Sequence, residues 1–154
     1  MHRLFAALAC ALLTLPVAAQ DRAALEADCD SNGNYQACRE ALMSQDLPAG
    51  EAQKRAMIQL SALGRCHDAQ APHGESCWYV GYTLAYDDVL PTDPERGFFY
   101  ANRACDMDSV KGCVALIAMH ANGIGTEKSE DATRVAATRA CDLGHADACA
   151  FIGR

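Results

Sequence analysis

A duplicated segment between residues 94 and 149 constrains the fold of this chain more than any other feature. The letters ANRACD at 101–106 return as ATRACD at 137–142, and Cys113 returns as Cys149 at the same step of 36 residues. A period of this size is typical of stacked helical repeats, because one helical hairpin cannot bury its apolar face alone. The sequence therefore predicts an all-α solenoid of about four α/α hairpins, of which the last is truncated.

The cysteines inside each repeat predict a reversal of the chain. If residues 105–113 formed one continuous helix, a rise of about 1.5 Å per residue would hold the two cysteines roughly 12 Å apart. A disulfide needs Cα atoms within about 7 Å, so paired cysteines at this spacing require a turn between two helices. Gly144 stands where the first helix of its unit should stop, and Gly112 falls in the matching connection. Both glycines favour a turn at these places.

The first 19 residues have the pattern of an export signal. A short basic segment, MHR, precedes an apolar run at 4–15, and the small residues at 17–19 come before a predicted cleavage after residue 19. A membrane anchor would need about 20 apolar residues, and Pro16 ends the run well short of that length. The pattern predicts a periplasmic or secreted bacterial protein with no membrane span.

Export in turn predicts a disulfide framework. Loss of Cys10 with the signal leaves eight of the nine cysteines, an even number in an exported chain. Many connectivities are possible, but pairing of neighbours is the one that makes all four units equivalent. Neither Cys-x-x-Cys nor zinc-finger spacing occurs, so bridges are favoured over a redox or zinc site. The predicted pairs are Cys29 with Cys38, Cys66 with Cys77, Cys105 with Cys113, and Cys141 with Cys149.

The mature chain is predicted to be one repeat domain, residues 20–154. Its units are predicted at about 21–47, 50–90, 93–127 and 129–154. Asp93 is a predicted helix cap followed by Pro94 at the first helical position, and Ser129 is the predicted cap in the next unit. In unit two, one helix face is predicted to be buried and the opposite face to be polar. The predicted buried face contains Ala52, Ala56, Leu60 and Leu63 with Met57 beside them, and the polar face contains Glu51, Lys54, Arg55 and Gln59.

The loop of unit one, residues 30–36, matches a calcium-binding loop only in part. Asp28, Asp30, Asn32 and Gly33 fit its first six positions, but the twelfth position holds Arg39 instead of a bidentate glutamate. A polar turn inside the disulfide is therefore the favoured interpretation. We predict no metal and no cofactor.

Two histidines lie in the connection between the cysteines of unit two. His67 and His73 are not accompanied by a carboxylate pattern of the kind that metal sites use. Exposed loop histidines of this kind are usually solvated. They are therefore interpreted as solvated residues.

Several short patterns resemble a known repeat family. Arg-Ala-Cys-Asp is followed by a second cysteine; Cys77 and Cys149 each begin Cys-x-x-Val/Ile-Gly; and Gly-Ile-Gly stands at 123–125. These residues resemble Sel-one-like repeats, relatives of the tetratricopeptide repeat, and more specifically the disulfide-bridged branch of the Helicobacter cysteine-rich proteins. The resemblance covers residues 50–154 well and 21–47 loosely. The chain departs from the family pattern at Ile117, His120, Gly97 and Thr133.

The resemblance implies a concave helical surface that binds a protein or a peptide, in an adaptor, inhibitor or immunity-type role. It also implies a rival function, that of a penicillin-binding, β-lactamase-like hydrolase of low activity. The chain gives this rival little chemical support, because no serine is followed three residues later by lysine and neither Lys-Thr-Gly nor Ser-Asp-Asn occurs. No catalytic residue is assigned.

The net charge bears on the class of partner. The whole chain carries −7, and removal of Arg3 with the signal leaves 12 basic against 20 acidic residues, a net charge of −8. An acidic protein of this size is poorly suited to nucleic acid or to anionic lipid. A protein with a basic patch or a neutral peptide fits the charge better.

Four residues are candidates for contact with such a partner. Tyr82 and Tyr86 are four residues apart, and hence lie on one helix face of the most aromatic segment. Arg103 and Arg139 are equivalent positions of the repeat and could form a ladder along one surface. The alternative for each arginine is a structural role at a helix C-terminus, paired with the aspartate three residues later.

Overall fold

The computed structural model describes residues 17–154. It contains, within these residues, eight helices and no strand. The helices form four consecutive hairpins, and the second helix of each hairpin packs on the first helix of the next, which confirms the all-α solenoid. The helices are α1 (Val17–Asn32), α2 (Tyr35–Met43), α3 (Glu51–Cys66), α4 (Gly74–Tyr86), α5 (Pro94–Asp106), α6 (Val110–Asn122), α7 (Glu130–Asp142) and α8 (Ala146–Ile152).

The predicted signal peptide, residues 1–19, lies outside the described residues except for its last three positions. Cleavage after residue 19 therefore stays a prediction. Over the part of the chain that the structure describes, no helix combines the length and the hydropathy that crossing a membrane requires.

A disulfide closes the neck of each hairpin. Four bridges join neighbouring cysteines, and their Cα atoms are 4.6 to 4.8 Å apart. In the chain-entropy model, a bridge that closes a loop of about ten residues contributes about 2.5 to 3 kcal/mol. The bridges are Cys29–Cys38, Cys66–Cys77, Cys105–Cys113 and Cys141–Cys149, the same pairs that neighbour pairing predicts.

Side-chain caps repeat with the same period as the cysteines. His73, Ser109 and His145, each 36 residues from the next, begin α4, α6 and α8, and each accepts a hydrogen bond from the backbone N–H three residues later. Asp93 and Ser129 cap α5 and α7 in the same way, as the sequence predicts. A cap of this kind stabilises a helix by about 1 kcal/mol. His73 is therefore part of the repeat geometry and not only a solvated loop residue.

The predicted turn at Gly112 is wrong. Gly112 lies inside α6, where a Cβ atom would come within 2.6 Å of the Ala104 side chain. The reversal instead uses Asp108, which has φ +61°, at the position equivalent to Gly144, which has φ +95°. Aspartate tolerates this left-handed conformation better than most residues, so no glycine is required there.

The loop of unit one is shorter than predicted. The α1 helix continues to Asn32, and only Gly33, with φ +65°, and the capping residue Asn34 separate it from α2. The side-chain amides of Asn32 and Asn34 both donate to Asp28, at 2.6 Å each. The carboxylate of Asp30 binds another part of the chain, so the two acids do not face a common centre.

The buried face of α3 is rotated relative to the prediction. The four predicted core residues, Ala52, Ala56, Leu60 and Leu63, are buried. Met57, predicted beside them, is 55% exposed, whereas Gln59, predicted on the polar face, is 4% exposed. The reason is that α3 packs on both α2 and α4. Together these helices cover the side of α3 that contains Gln59 and leave the side that contains Met57 exposed to solvent.

The closest approach between two hairpins occurs where α4 crosses α5. A Cβ atom added to Gly81 would lie 2.9 Å from the Gly97 carbonyl oxygen and 2.9 Å from the Ala101 nitrogen. Both glycines are buried in helices. The equivalent positions 36 residues later hold Ile117 and Thr133, so the crossing of α6 and α7 accommodates larger side chains.

A polar network joins unit one to unit three across the end of α3. Arg96 donates two hydrogen bonds to Asp30, at 2.7 and 2.9 Å. The buried Tyr100 hydroxyl donates to Asp30 at 2.6 Å, so its oxygen is left to accept the proton of His67 Nε2 at 3.0 Å. The interpretation of His67 as a solvated residue is therefore wrong: its ring follows the last residue of α3 and packs on Tyr100.

Burial determines the protonation state of this network. Desolvation, followed by the charge of Arg103, lowers the pKa of His67. Desolvation, followed by the Asp30 carboxylate, raises the pKa of Tyr100. At neutral pH His67 is therefore uncharged in the folded protein and Tyr100 keeps its proton, as the donor order requires.

We predict that Gly81→Ala lowers the free energy of unfolding by about 1 to 3 kcal/mol, because backbone atoms of α5 leave no room for a methyl group. Gly64→Ala, inside α3, is the matched control. The side chain nearest to its new Cβ is the exposed Tyr35, at 3.2 Å, which can rotate away. The free energy of unfolding of Gly64→Ala should rise by up to about 1 kcal/mol, because alanine has a higher helix propensity than glycine. Chemical denaturation measures both, and equal effects would contradict the close crossing.

We predict that stability falls as the pH drops through the ordinary histidine range. Since the folded pKa of His67 lies below that of the unfolded chain, the unfolded state binds more protons below about pH 6.5, and the loss grows towards the folded pKa. His67→Gln should flatten this slope between about pH 7.5 and 5.5, above the range in which carboxyl groups titrate. His73→Asn, which keeps a capping side chain, should retain the slope. An unchanged slope in His67→Gln would exclude the assigned role.

We predict an order of disulfide reduction that follows exposure. Cys141 and Cys149 are partly exposed, whereas the other six bridged cysteines are buried. Limited reduction of native protein, followed by alkylation and peptide mass analysis, should label Cys141 and Cys149 first. In denaturant the preference should disappear. First labelling of Cys66 and Cys77 in native protein would contradict the prediction.

Candidate binding groove

A groove runs along the surface formed by α3, α4, α6 and α8. It consists of three adjoining depressions with volumes of about 820, 560 and 310 Å³. Trp78 and Lys111 line both the first and the second depression, and Val114, Ala118 and His145 line both the second and the third. The shared side chains make the three depressions one continuous groove.

Three aromatic side chains form a ladder along the middle of the groove. Trp78, Tyr82 and Tyr86 are four residues apart on α4, with ring centroids separated by 5.9 and 5.5 Å. Tyr82 is 49% exposed and Tyr86 is 38% exposed, although both rings are large and apolar. The opposite wall is supplied by α6, with Val110 and Val114. The groove thus offers aromatic faces and aliphatic groups to an occupant.

The tyrosine hydroxyls add hydrogen-bonding groups to this apolar wall. Burial, followed by the neighbouring Tyr82, raises the pKa of Tyr86. Tyr86 therefore keeps its proton at neutral pH. An occupant can receive a hydrogen bond from the hydroxyl while packing on the ring.

A charged cluster holds the tryptophan in place at the junction of the first two depressions. The Nζ atom of Lys111 lies 4.6 Å from the centroid of the Trp78 ring and 2.6 Å from Glu75 Oε2. Ser109 donates to the other oxygen of Glu75 at 2.8 Å. The hydrogen bond from Lys111 is the main reason why the pKa of Glu75 is lowered. This carboxylate is therefore charged and satisfied within the protein.

The first depression has a different lining on its α3 side. Met57 and Ile58, which are 55% and 45% exposed, form an apolar strip along the helix. Lys54 precedes the strip and Arg65 follows it, and both line the same depression. Exposed apolar side chains bordered by cations are available to an occupant on this side.

The structure brings together only two of the four predicted contact residues. Tyr82 and Tyr86 lie side by side in the groove, whereas Arg103 and Arg139 do not line it. Arg139 forms an ion pair with Asp108 of the preceding unit. Arg103 has a buried Nε atom without a hydrogen-bond partner among the described residues, close enough to His67 to influence its pKa.

The predicted pairing of these arginines with the aspartates three residues later is also not observed. Asp142 binds Arg154 at 2.6 Å instead of Arg139. Asp106 forms no ion pair within residues 21–154. Arg139 instead reaches the preceding unit, and Asp142 pairs within its own unit with a residue twelve positions away.

Sequence reasoning missed most of the groove. Neither Ile58 nor Val114 is among the predicted contact residues. One signal was available, because α4 is apolar on two sides. Its buried side contains Val80 and Leu84, and the aromatic ladder occupies another. A helix that is apolar on more than one side needs a second contact surface.

The Ser76 hydroxyl, which lines the first depression, belongs to the cap of α4. The Nδ1 atom of His73 lies 3.0 Å from Ser76 Oγ and accepts the Ser76 backbone N–H at 3.2 Å. Within residues 21–154, no other side chain hydrogen-bonds to this imidazole, and no group of three or more acidic, histidine or cysteine side chains is placed to hold a metal ion. Ser76 is also buried. The pair therefore gives no support to the hydrolase alternative.

Comparison with solved structures relates this chain to a cysteine-rich protein. Cysteine rich protein B of Helicobacter pylori superimposes with a TM-score of 0.55 over 84% of this chain and 96% of that protein. The chain shares its fold. At 20% identity the likeness concerns the fold alone, and it agrees with the resemblance to the disulfide-bridged Sel-one-like repeats. Comparisons with protein-family models and with curated proteins give no match.

Proposed function

We propose that this protein binds an apolar segment of a protein or peptide in the groove and acts outside the cytoplasm as an adaptor, inhibitor or immunity-type protein. The observation that carries the proposal is the aromatic ladder. Two tyrosines remain 49% and 38% exposed opposite a wall of aliphatic side chains. A row of exposed aromatic residues in a concave surface is the composition that binding hot spots favour.

The construction of the groove also supports a binding role. Its walls come from the helices of three hairpins, each closed by a disulfide. A surface that is already ordered loses little conformational entropy when a partner binds. The groove therefore has the rigid character that favours recognition of a flexible segment.

The bridges support the proposed compartment. Six of the eight bridged cysteines are buried at the necks of the hairpins, so the fold depends on their oxidation. Disulfides of this kind persist in oxidising compartments. We infer that the protein works in the periplasm or after secretion.

We predict that Tyr82→Ala combined with Tyr86→Ala weakens binding of groove ligands at least about 30-fold, the loss expected when even one of the two is a hot-spot residue worth about 2 kcal/mol. The ligands would be selected from a random peptide display library on mature, oxidised protein. Their affinities would be measured by calorimetry.

Tyr35→Ala is the matched control. Tyr35 is 48% exposed but lies on α2, outside the groove. It should leave the affinity unchanged. Thermal melting would establish that both variants fold. Equal affinity of the double variant and the control would refute the proposed function.

A further inference from the structure

The charges of the groove restrict the chemistry of the bound segment. We propose that this segment is acidic, with carboxylates on both sides of apolar side chains, placed so that they reach Lys54 and Arg65. This inference rests on the proposed function, since it assigns the occupant of the same groove.

Two cations on α3 are free to pair with a bound segment. Lys54 and Arg65 line the first depression, and both side chains are exposed. Neither forms an ion pair within the described residues 21–154. A carboxylate of a bound segment can therefore pair with either cation without breaking an existing salt bridge.

The carboxylates near these cations already have partners within the protein. Among the described residues that line this depression, Glu75 is the only acid, and it accepts from Lys111 at 2.6 Å and from Ser109 at 2.8 Å. At the other end of α3, three further acids surround Arg55. They are Glu51, Asp87 and Asp88, at 3.2, 3.2 and 2.7 Å from its guanidinium nitrogens.

The net charge of the chain acts on a bound carboxylate only over a short range. The mature chain has a net charge of −8, which predicts a basic or neutral partner. At physiological ionic strength, however, exposed charges are screened over about 8 Å. A carboxylate in the groove therefore interacts mainly with the lining, where Lys54, Arg65 and Lys111 outnumber Glu75. The local charge decides the specificity, and the net charge affects mainly the rate of encounter.

The spacing of the cations predicts the spacing of the acids. Lys54 and Arg65 are eleven positions apart on one helix, with Met57 and Ile58 between them. At a rise of about 1.5 Å per residue their Cα atoms lie about 16 Å apart. An extended peptide covers this length in about five residues. The expected pattern is an acidic residue, an apolar stretch and a second acidic residue about five positions away.

The test uses the random peptide library on full-length mature protein and on the variant Lys54→Gln/Arg65→Gln. Peptides selected on the unmodified protein should be enriched in Asp and Glu on either side of aliphatic or aromatic residues. The variant should bind these peptides about tenfold more weakly, as expected for two exposed ion pairs. Added salt should weaken binding to the unmodified protein and have a smaller effect on the variant.

The control Arg39→Gln/Arg154→Gln removes the same charge outside the groove lining. It should bind as the unmodified protein does. If the selected peptides lack acidic enrichment, or bind Lys54→Gln/Arg65→Gln with full affinity while Tyr82→Ala/Tyr86→Ala abolishes binding, the charge inference is wrong and the groove proposal stands. If no selected peptide depends on the two tyrosines, both proposals are overturned.

Discussion

The disulfide at the neck of each hairpin is the constraint on which the rest of the structure depends. The described helices contain between seven and 16 residues, and many of their buried side chains are alanine. Isolated helices of such length are marginal in water, and alanine buries little apolar area. The bridge fixes two helices at their junction, and stacking then fixes neighbouring hairpins. The groove follows from this arrangement, because its walls belong to different hairpins.

The architecture could be predicted because its signals are local and covalent. The step of 36 residues, the even number of cysteines in residues 20–154 and the caps Asp93 and Ser129 each constrain a few adjacent residues. The prediction failed where two residue types compete for one conformation. The reversal in unit three uses Asp108, and Gly112 serves instead to let α6 approach α5.

The candidate site could be predicted only in part. The spacing of Tyr82 and Tyr86 places them on one helix face, and this follows from the periodicity of a single helix without knowledge of its neighbours. Their opposite wall depends on how hairpins stack, and the strip of Met57 and Ile58 depends on which side of α3 the neighbours cover. The role of His67 could not be predicted either, because its partner Tyr100 is 33 positions away and is brought close only by the stacking of hairpins.

The polar network between units one and three affects which hairpins of this solenoid should unfold together. Its members are Asp30, Arg96, Tyr100 and His67. In an ideal repeat array each unit touches only its neighbours, and the array behaves as a one-dimensional chain of coupled elements. Here unit one is bound directly to unit three past the end of α3. The first three hairpins should therefore unfold together as one cooperative block, and the fourth hairpin takes no part in this network.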